Sequence, residues 1–206
     1  DGAIARIVEE LDATDEERSV TEVNTSIFLV KRALLGPALR RLDRTNSQSE
    51  YYLTDVVSVL YNTGHVAGSL QTDDRAAVSG VNDRVQLALA EAELRRRINE
   101  RWMQRGVTMW DPASTYVDAD VELAEDVSLL PGTIVKGACR IGAGAQIGPN
   151  ALLVDVVVGR HAQLGTVHAT SARVGEDAEV GSFSVLGPGT VVPSGARIGP
   201  HSTLGL

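Results

Sequence analysis

The chain has 206 residues, and its formal net charge of −8 at pH 7 argues against non-specific binding of nucleic acids, which requires a basic surface. Its single cysteine, Cys139, excludes an intrachain disulfide, so we expect a cytoplasmic protein. No apolar run approaches the roughly 18 residues of a membrane-spanning helix, and no secretory signal opens the sequence. We therefore expect neither a nucleic-acid nor a membrane partner.

Residues 1–82 have the pattern of a mixed α/β segment, with strands predicted from runs rich in Val, Ile and Phe and helices from helical apolar spacing. The predicted strands are Ile4–Val8, Val23–Val30 and Val66–Gln71, and the predicted helices are Ala33–Leu42 and Thr54–Tyr61. Asp12–Arg18 is expected to turn into a short acidic helix or loop. Because Asp1 is not a methionine and leads directly into a predicted strand, we expect the chain to be the back part of a longer protein.

A single long helix is predicted for residues 83–105. Leu87, Ile98 and Trp102 belong to an apolar stripe at helical spacing, and Gly106 is well placed to end the helix. We interpret residues 83–106 as a linker helix between two domains.

Beyond this helix the hydrophobic period changes to six. One strict series of large aliphatic residues comprises Leu123, Leu129, Val135, Ile141, Ile147 and Leu153, and a second comprises Val174, Val180, Leu186, Val192, Ile198 and Leu204. Between them Val158 and Leu164 keep the period, with register slips on either side. A small residue often stands two positions before the aliphatic one, and a glycine often follows it.

Neither a helix of period 3.6 nor a strand of period 2 produces this pattern, whereas a triangular coil of three hexapeptides does. In such a coil the aliphatic and the small residue point inward, and the glycine is expected at the corner, where permissive dihedral angles are useful. We therefore predict a left-handed parallel β-helix of hexapeptide repeats over residues 107–206. The overall fold class is α/β plus all-β.

Several short motifs stand in a fixed order along the chain. They are Ile7-Val8-Glu9-Glu10, Asp12-Ala13-Thr14, Glu22-Val23-Asn24-Thr25, Asn46-Ser47-Gln48-Ser49-Glu50-Tyr51-Tyr52-Leu53-Thr54-Asp55 and Gly80-Val81-Asn82-Asp83-Arg84-Val85-Gln86-Leu87. With the long helix and the β-helix, they resemble the bacterial family of bifunctional N-acetylglucosamine-1-phosphate uridyltransferase / glucosamine-1-phosphate acetyltransferase, in particular its actinobacterial members.

The resemblance implies that residues 1–82 are the C-terminal part of a Rossmann-like nucleotidyltransferase α/β domain. The implied function is a sugar-1-phosphate nucleotidyltransferase of UDP-N-acetylglucosamine biosynthesis, a pathway that supplies a peptidoglycan precursor. UTP and N-acetylglucosamine 1-phosphate would be joined to UDP-N-acetylglucosamine with release of pyrophosphate, and Mg²⁺ would be the cofactor. Members of this family pack three β-helices in parallel, so a homotrimer is expected.

Five residues fall at substrate-binding positions of the family. Glu9 and Asn24 match positions that recognise the sugar, and Tyr52 and Thr54 match positions beside the sugar and its phosphate. Asn82 matches a position that helps to bind Mg²⁺, for which an amide oxygen is a suitable ligand. From the residues alone, Asn24 could simply end a strand, Tyr52 could be a core residue and Glu9 an exposed strand carboxylate.

The chain departs from the family at several places. The Gly-rich, Arg-containing loop that cradles the nucleotide phosphates and the aspartate ligand of Mg²⁺ have no counterpart here. A family lysine is replaced by Leu11, and a family glycine by Ser26. We therefore expect this chain alone not to form UDP-N-acetylglucosamine, because phosphoryl transfer depends on alignment and charge neutralisation.

The acetyltransferase site also departs from the family. Two arginines that hold the sugar phosphate correspond to Val185 and Gly187, and a family lysine corresponds to Gly205. The catalytic histidine of the family would lie beyond Leu206. We therefore expect no acetyl transfer to glucosamine 1-phosphate.

Two other functions remain open. One is a non-catalytic β-helix module for trimerisation or assembly. The other is a hexapeptide acyltransferase that uses His161, His168 or His201 as a general base at a subunit interface.

Overall fold

The computed structural model describes residues 3–205, so Asp1, Gly2 and Leu206, and with them the expectations about both chain ends, lie outside the described residues. The chain divides into two compact units, Asp1–Val81 and Asn82–Leu206. Within residues 3–205, no helix combines the length and the apolar character that crossing a lipid bilayer requires. The nucleotidyltransferase assignment of residues 1–82 stays a prediction.

The first unit consists of short helices joined by irregular segments. Its elements are α1 (Asp15–Arg18), α2 (Arg32–Leu39), α3 (Asp55–Asn62) and a 3-10 turn (Ala76–Val78). Helices α2 and α3 confirm the two predicted helices, with boundaries shifted by one to three residues. Helix α1 confirms the short acidic helix. Helix α2 packs against α3, where Ala38 and Val56 are buried.

The three strands predicted in this unit are wrong, because residues 3–81 contain no strand. One backbone hydrogen bond joins two of the predicted segments, from the Ile4 N–H to the Ala67 carbonyl oxygen at 2.9 Å. A strand needs a neighbouring backbone along its length to pair its N–H and C=O groups. The apolar side chains of Val23, Leu29 and Leu70 remain exposed instead of covering a sheet. Residues 3–81 therefore do not form the predicted α/β sheet.

Helix α4 (Arg84–Met103) confirms the predicted long helix. The carboxylate of Asp83 caps it by accepting a hydrogen bond of 2.7 Å from the Gln86 N–H. The predicted apolar stripe is exposed along the first half of the helix, and only Ile98 and Trp102 near its end pack into the core of the second unit. Helix α4 thus contacts the first two strands and closes one end of the β-helix.

The rest of the second unit is a parallel β-helix, as predicted. Its strands are β1 (Thr108–Met109), β2 (Tyr116–Val117), β3 (Glu122–Leu123), β4 (Ser128–Leu129), β5 (Ile134–Lys136), β6 (Arg140–Ile141), β7 (Gln146–Ile147), β8 (Leu152–Val154), β9 (Val157–Val158), β10 (Gln163–Leu164), β11 (Val167–Thr170), β12 (Arg173–Val174), β13 (Glu179–Val180), β14 (Ser184–Leu186), β15 (Val191–Val192), β16 (Arg197–Ile198) and β17 (Thr203–Leu204). Each strand pairs with the strand three further along, which gives three stacked sheets in the orders β1-β4-β7-β10-β13-β16, β2-β5-β8-β11-β14-β17 and β3-β6-β9-β12-β15.

The inward positions are those that the six-residue period predicts. Leu129, Ile147 and Leu153 have no exposed surface, and Cys139 and Ala145 are equally buried. This lumen is a continuous apolar core, whose burial stabilises the β-helix.

The register slips are shortened turns between coils. Leu129 pairs with Ile147, Ile147 with Leu164, and Leu164 with Val180, so that the paired residues are 18, 17 and 16 residues apart in turn. Ala169 takes the inward position between Leu153 and Leu186 in the second sheet. The backbone ladder accommodates the deletions in the turns and keeps the strands in register.

The glycines after the inward aliphatic residues mostly serve a different purpose from the one expected. Gly159 and Gly175 do not have positive φ angles, and a Cβ added to either would lie within 3.0 Å of the backbone of the next coil. The positive φ angles fall instead on turn residues such as Gly144 and Asp177. Gly159 and Gly175 are therefore required by the close approach of neighbouring coils, not by a left-handed backbone conformation.

Candidate functional site

The first candidate site lies in the first unit, where two distant segments meet. Glu9 and Asp12 belong to a turn that is closed by a 3.0 Å hydrogen bond from the Asp12 N–H to the Glu9 carbonyl oxygen. The Thr54 hydroxyl donates to the Glu9 carboxylate at 2.9 Å, and the Ser47 N–H donates to the Asp12 carboxylate at 2.8 Å. The turn is therefore attached to both ends of the loop that precedes α3.

Thr54 stands immediately before α3, at the position expected for an N-cap, but its side chain makes no capping hydrogen bond. Its hydroxyl is instead directed to Glu9, and the residue is buried. The Tyr52 hydroxyl donates to the Gln48 side-chain oxygen at 3.1 Å, and it also interacts with the Asp12 carboxylate of the turn. Three of the five predicted residues, Glu9, Tyr52 and Thr54, are thus on elements that the structure brings together.

Carboxylates dominate the electrostatics of this region. The backbone N–H of Ser47 holds the pKa of Asp12 below its usual range, so Asp12 is ionised at neutral pH. Burial raises the pKa of the Asp55 carboxyl, and the nearby charges of Asp43, Glu9 and Asp12 act in the same direction. Leu11 is exposed where the resemblance implies a lysine, so the turn itself supplies no cation for a phosphate.

Of the two predicted asparagines, Asn24 is not part of this cluster, and Asn82 is described with its own unit. Asn24 is exposed, and its side chain makes no hydrogen bond within residues 3–205. Asn82 belongs to the second unit, where its N–H donates to the Gln86 side chain at 2.6 Å ahead of α4. The roles predicted for both asparagines stay predictions.

The described residues do not by themselves fit a bound Mg²⁺. No group of three or more His, Cys, Asp or Glu residues among positions 3–205 is arranged to hold a metal ion. Asn82 offers one neutral amide oxygen, and the carboxylate next to it, Asp83, is engaged in capping α4. Mg²⁺ keeps its water unless carboxylates or phosphates replace it, so this pair is a poor ligand set.

The second candidate site is on the β-helix, where three histidines are exposed. His161 and His201 occupy turns with positive φ angles, and His168 points outward from β11. The His201 ring stacks on the Phe183 ring of the previous coil, with centroids 5.2 Å apart and planes inclined by 17°. Among the three, His201 therefore has a ring orientation fixed by an aromatic partner.

The two positions at which the resemblance implies phosphate-binding arginines are packed differently. Val185 points outward from β14, whereas Gly187 is buried. A Cβ at Gly187 would lie within 3.0 Å of the Gly205 carbonyl oxygen, and Gly205 has a φ of 68°. The two glycines of adjacent coils touch through their backbones, so an arginine at Gly187 would require the coils to separate.

Sequence reasoning gave no role to Asp12, whose hydrogen bond reaches residue 47. The signal was present in the motif Asp12-Ala13-Thr14, but a contact between residues so far apart in sequence cannot be deduced from spacing. The pairing of Phe183 with His201 was missed for the same reason.

Comparison with known proteins identifies relatives along nearly the whole chain, although no protein-family model matches it. The chain is 44% identical over 199 residues to the bifunctional protein GlmU of Corynebacterium jeikeium, covering 97% of this chain and 41% of that protein. It is 45% identical to GlmU of Mycolicibacterium vanbaalenii, with 97% and 40% covered, and 42% identical to GlmU of Mycobacterium marinum, with 100% and 43% covered. The chain thus spans about two fifths of the length of these relatives.

Solved structures show weaker likenesses. A GDP-perosamine N-acetyltransferase from Caulobacter crescentus, in complex with CoA and GDP-perosamine, has a TM-score of 0.36 at 21% identity, covering 52% of this chain and 61% of that one. The acetyltransferase domain of PglB from Neisseria gonorrhoeae has a TM-score of 0.33 at 17% identity, covering 53% and 63%. TM-scores this low describe a local likeness only.

The family expectation drawn from the motifs is confirmed by the matches of 42–45% identity, which extend across both units of the chain. The chain is a homologue of the bifunctional GlmU proteins.

Proposed function

We propose that the chain is part of a sugar-phosphate transferase of the GlmU type and that its second unit is the scaffold of a hexapeptide acyltransferase. The observation that carries the proposal is the unbroken stack of three parallel sheets from Thr108 to Leu204. The relatives support it, because they are named as bifunctional proteins and match the chain across both units. We therefore place the acyltransferase function before the nucleotidyltransferase function that the sequence motifs imply.

Acyl transfer from a thioester to an amine needs a general base that removes a proton from the amine. A histidine is suited to this role when its ring is held in one orientation at the acceptor. His201 meets this requirement best, because Phe183 stacks against its ring. Its backbone N–H donates to the Ser182 carbonyl oxygen at 3.0 Å, which fixes the main chain of the turn that carries the ring. His161 and His168 are exposed without an aromatic partner in the described part of the chain and serve as comparisons.

The acceptor is an amino sugar whose recognition does not depend on a phosphate clamp. At the positions of the family's cations, Val185 has no charge and Gly187 cannot accept a side chain while it packs on Gly205. A phosphate dianion at this edge would therefore gain no charge-assisted hydrogen bond from these residues. We therefore expect glucosamine to be acetylated and keep the expectation of no transfer to glucosamine 1-phosphate.

The test is release of the CoA thiol from acetyl-CoA by the purified chain, with each of the two acceptors. We expect turnover with glucosamine that is lost in His201→Ala and kept in His161→Ala, and no turnover with glucosamine 1-phosphate. Absence of thiol release above background with both acceptors would reject the acyltransferase and favour the non-catalytic assembly module.

The second candidate function is the uridyltransferase reaction between UTP and N-acetylglucosamine 1-phosphate. It is favoured by the hydrogen bond between Thr54 and Glu9, because two residues from separate family motifs then form one polar site next to Tyr52. Mg²⁺ would supply charge neutralisation at the phosphates, but the described residues are a poor ligand set for it. The contribution of this unit is therefore the recognition of the sugar hydroxyl and acetamido groups.

Binding of N-acetylglucosamine 1-phosphate, measured by calorimetry without UTP, tests this second function separately from turnover. Thr54→Val removes the hydroxyl that orients Glu9 and should weaken binding by roughly tenfold, as for a hydrogen bond to a charged group. Thr63→Val is the matched control, because the Thr63 hydroxyl donates only to carbonyl oxygens at the end of α3. Equal affinities of the two variants would argue against a sugar site at Thr54.

Self-assembly of the β-helix is a further part of the proposal, because the three outer faces differ in charge. The outward residues of the second sheet, in register, are Tyr116, Ile134, Leu152, His168, Val185 and Thr203. By contrast, the third sheet presents Arg140 and Arg173, and the first presents Glu179 and Arg197. The row itself has no fixed charge, although Lys136 is exposed beside it on β5 and the Arg95 guanidinium lies over the Tyr116 ring. Its central part, from Leu152 to Val185, can pack against its own copy without like-charge repulsion. We therefore propose a homotrimer joined through this face.

A further inference from the structure

The turn that carries Glu9 is fixed to the loop before α3 by two hydrogen bonds, one donated by a side chain of the loop and the other by its backbone. One is the bond between the Thr54 hydroxyl and Glu9 at the end of the loop. The other is the bond from the Ser47 N–H to the Asp12 carboxylate, at the beginning of the same loop. The loop is therefore attached to the turn at both ends, and the two attachment points are seven residues apart in sequence.

The loop has an internal structure of its own. The Asn46 side-chain oxygen accepts hydrogen bonds from the N–H groups of Gln48 and Glu50, at 3.2 and 3.1 Å. The Asn46 side-chain nitrogen donates to the Glu50 carbonyl oxygen at 2.6 Å. These bonds shape the loop locally, as in an Asx turn, but they do not determine where it lies relative to the Glu9 turn.

We propose that Asp12 is a positioning residue that holds the loop of Tyr52 and Thr54 in place against Glu9. The inference rests on the second candidate function, for which these three residues form the sugar site. Asp12 itself lies outside that set and acts chiefly through the Ser47 backbone N–H, while the side chains of Ser47 and Tyr52 also interact with its carboxylate. Without its attachment, the loop would be joined to the turn only through the Thr54 hydroxyl.

The charge of Asp12 suits this role. Its pKa is lowered, chiefly by the Ser47 backbone N–H, so the carboxylate is ionised over the whole neutral range. A charge-assisted hydrogen bond is stronger than a neutral one. Substitution by asparagine keeps an acceptor oxygen at the same place but removes the charge, and substitution by alanine removes both.

Asp43 provides a matched control. It is an exposed carboxylate that accepts a hydrogen bond of 2.8 Å from a backbone N–H, that of Thr45, and its pKa is lowered for the same reason. Its bond closes a turn within one short segment and attaches nothing to the Glu9 turn. A general effect of losing a carboxylate from this region would appear in both variants, whereas loss of the loop attachment would appear only at Asp12.

The experiment combines amide hydrogen exchange of the complete chain with binding of N-acetylglucosamine 1-phosphate. In Asp12→Ala we expect the Ser47 amide to exchange roughly 3- to 10-fold faster and the affinity to fall by a similar factor, while Asp12→Asn lies between it and the native chain. Asp43→Ala should change neither quantity. Thermal unfolding should be unaltered, since Asp12 is exposed.

Unchanged exchange at Ser47 in Asp12→Ala would overturn the proposal, and so would faster exchange with an unchanged affinity. Failure of the native chain to bind the sugar phosphate, together with faster exchange in Asp12→Ala alone, would support the loop attachment and reject the second candidate function. The two failures are therefore distinguishable.

Discussion

Gly187 lies against the backbone of Gly205 in the next coil of the β-helix, where the Gly187 N–H donates to the Leu204 carbonyl oxygen at 2.7 Å. The approach is close enough that a Cβ at Gly187 would come within 3.0 Å of the Gly205 carbonyl oxygen. Because the obstructing atom is backbone and not the end of a side chain, the coils themselves would have to move. Because the backbones are this close, both positions hold glycine, where the resemblance implies an arginine at Gly187 and a lysine at Gly205.

Substitution Gly187→Ala should destabilise the second unit by about 1–3 kcal/mol, the usual cost of overpacking. Gly199→Ala is the control, because a Cβ there meets nothing within 4 Å and the φ angle is not positive. Denaturant unfolding of both variants gives the comparison. Equal free energies of unfolding would mean that the coils adjust to a methyl group without cost.

The β-helix could be predicted in detail because its periodicity is local. Each six-residue unit specifies its own strand, and Leu123 through Leu153 are inward as the period requires. Ala169 was not predicted to point inward, because the turn before it is shortened and its side chain is small. The strands of the first unit were predicted wrongly, because Val23 and Leu29 have strand propensity without a neighbouring strand to pair with. Propensity alone does not form a sheet.

The candidate sites were predictable only as lists of residues. The motifs named Glu9 and Thr54, but their hydrogen bond depends on how a turn and a loop 45 residues apart fold together. The resemblance places the Thr54 hydroxyl beside the substrate, whereas the position of Thr54 before α3 also suits an N-cap, and these two uses compete for one side chain. The structure assigns the hydroxyl to Glu9, and α3 begins without a side-chain cap.

Cys139 should be unreactive in the native protein. Burial raises the pKa of its thiol, and its sulfur accepts a hydrogen bond from the Val156 N–H in the lumen, so little thiolate is present or accessible. A colorimetric thiol reagent at pH 8 should label the unfolded chain rapidly and the folded chain slowly. Labelling of the folded chain at the rate of a free thiol would contradict the inward register of this residue.

Glu93 should titrate well below an ordinary glutamate. Hydrogen bonds from Arg96 and Arg97 lower its pKa to about 2. Because the folded-state pKa is depressed, its stabilising contribution is present above the ordinary value of 4.5 and is lost as the pH falls toward 2. Titration of the Glu93 carboxyl carbon by NMR gives the midpoint directly. Arg96→Gln should raise that midpoint, and an unchanged midpoint would exclude Arg96 as a cause.

Association of the β-helices should depend on the outward row of the second sheet that contains Ile134, Leu152, His168 and Val185, which carries no fixed charge although Lys136 is exposed beside it at the end of β5. Its six strands span roughly 24 Å along the axis, and Leu152 lies in the middle, between Ile134 and His168. A glutamate at this position would meet its own copies across a symmetric interface, so Leu152→Glu should convert the trimer to monomers at micromolar concentration. Val157→Glu is the matched control, because Val157 points outward from the third sheet, between Arg140 and Arg173.

Sedimentation equilibrium of the three proteins provides the measurement, with far-UV circular dichroism to verify that both variants keep the β-helix. We expect trimers for the native chain and Val157→Glu, and monomers for Leu152→Glu. A native chain that is a stable monomer would contradict the trimer itself. Dissociation by Val157→Glu and not by Leu152→Glu would place the interface on the charged third sheet, where opposite charges and not apolar contacts would have to join the copies.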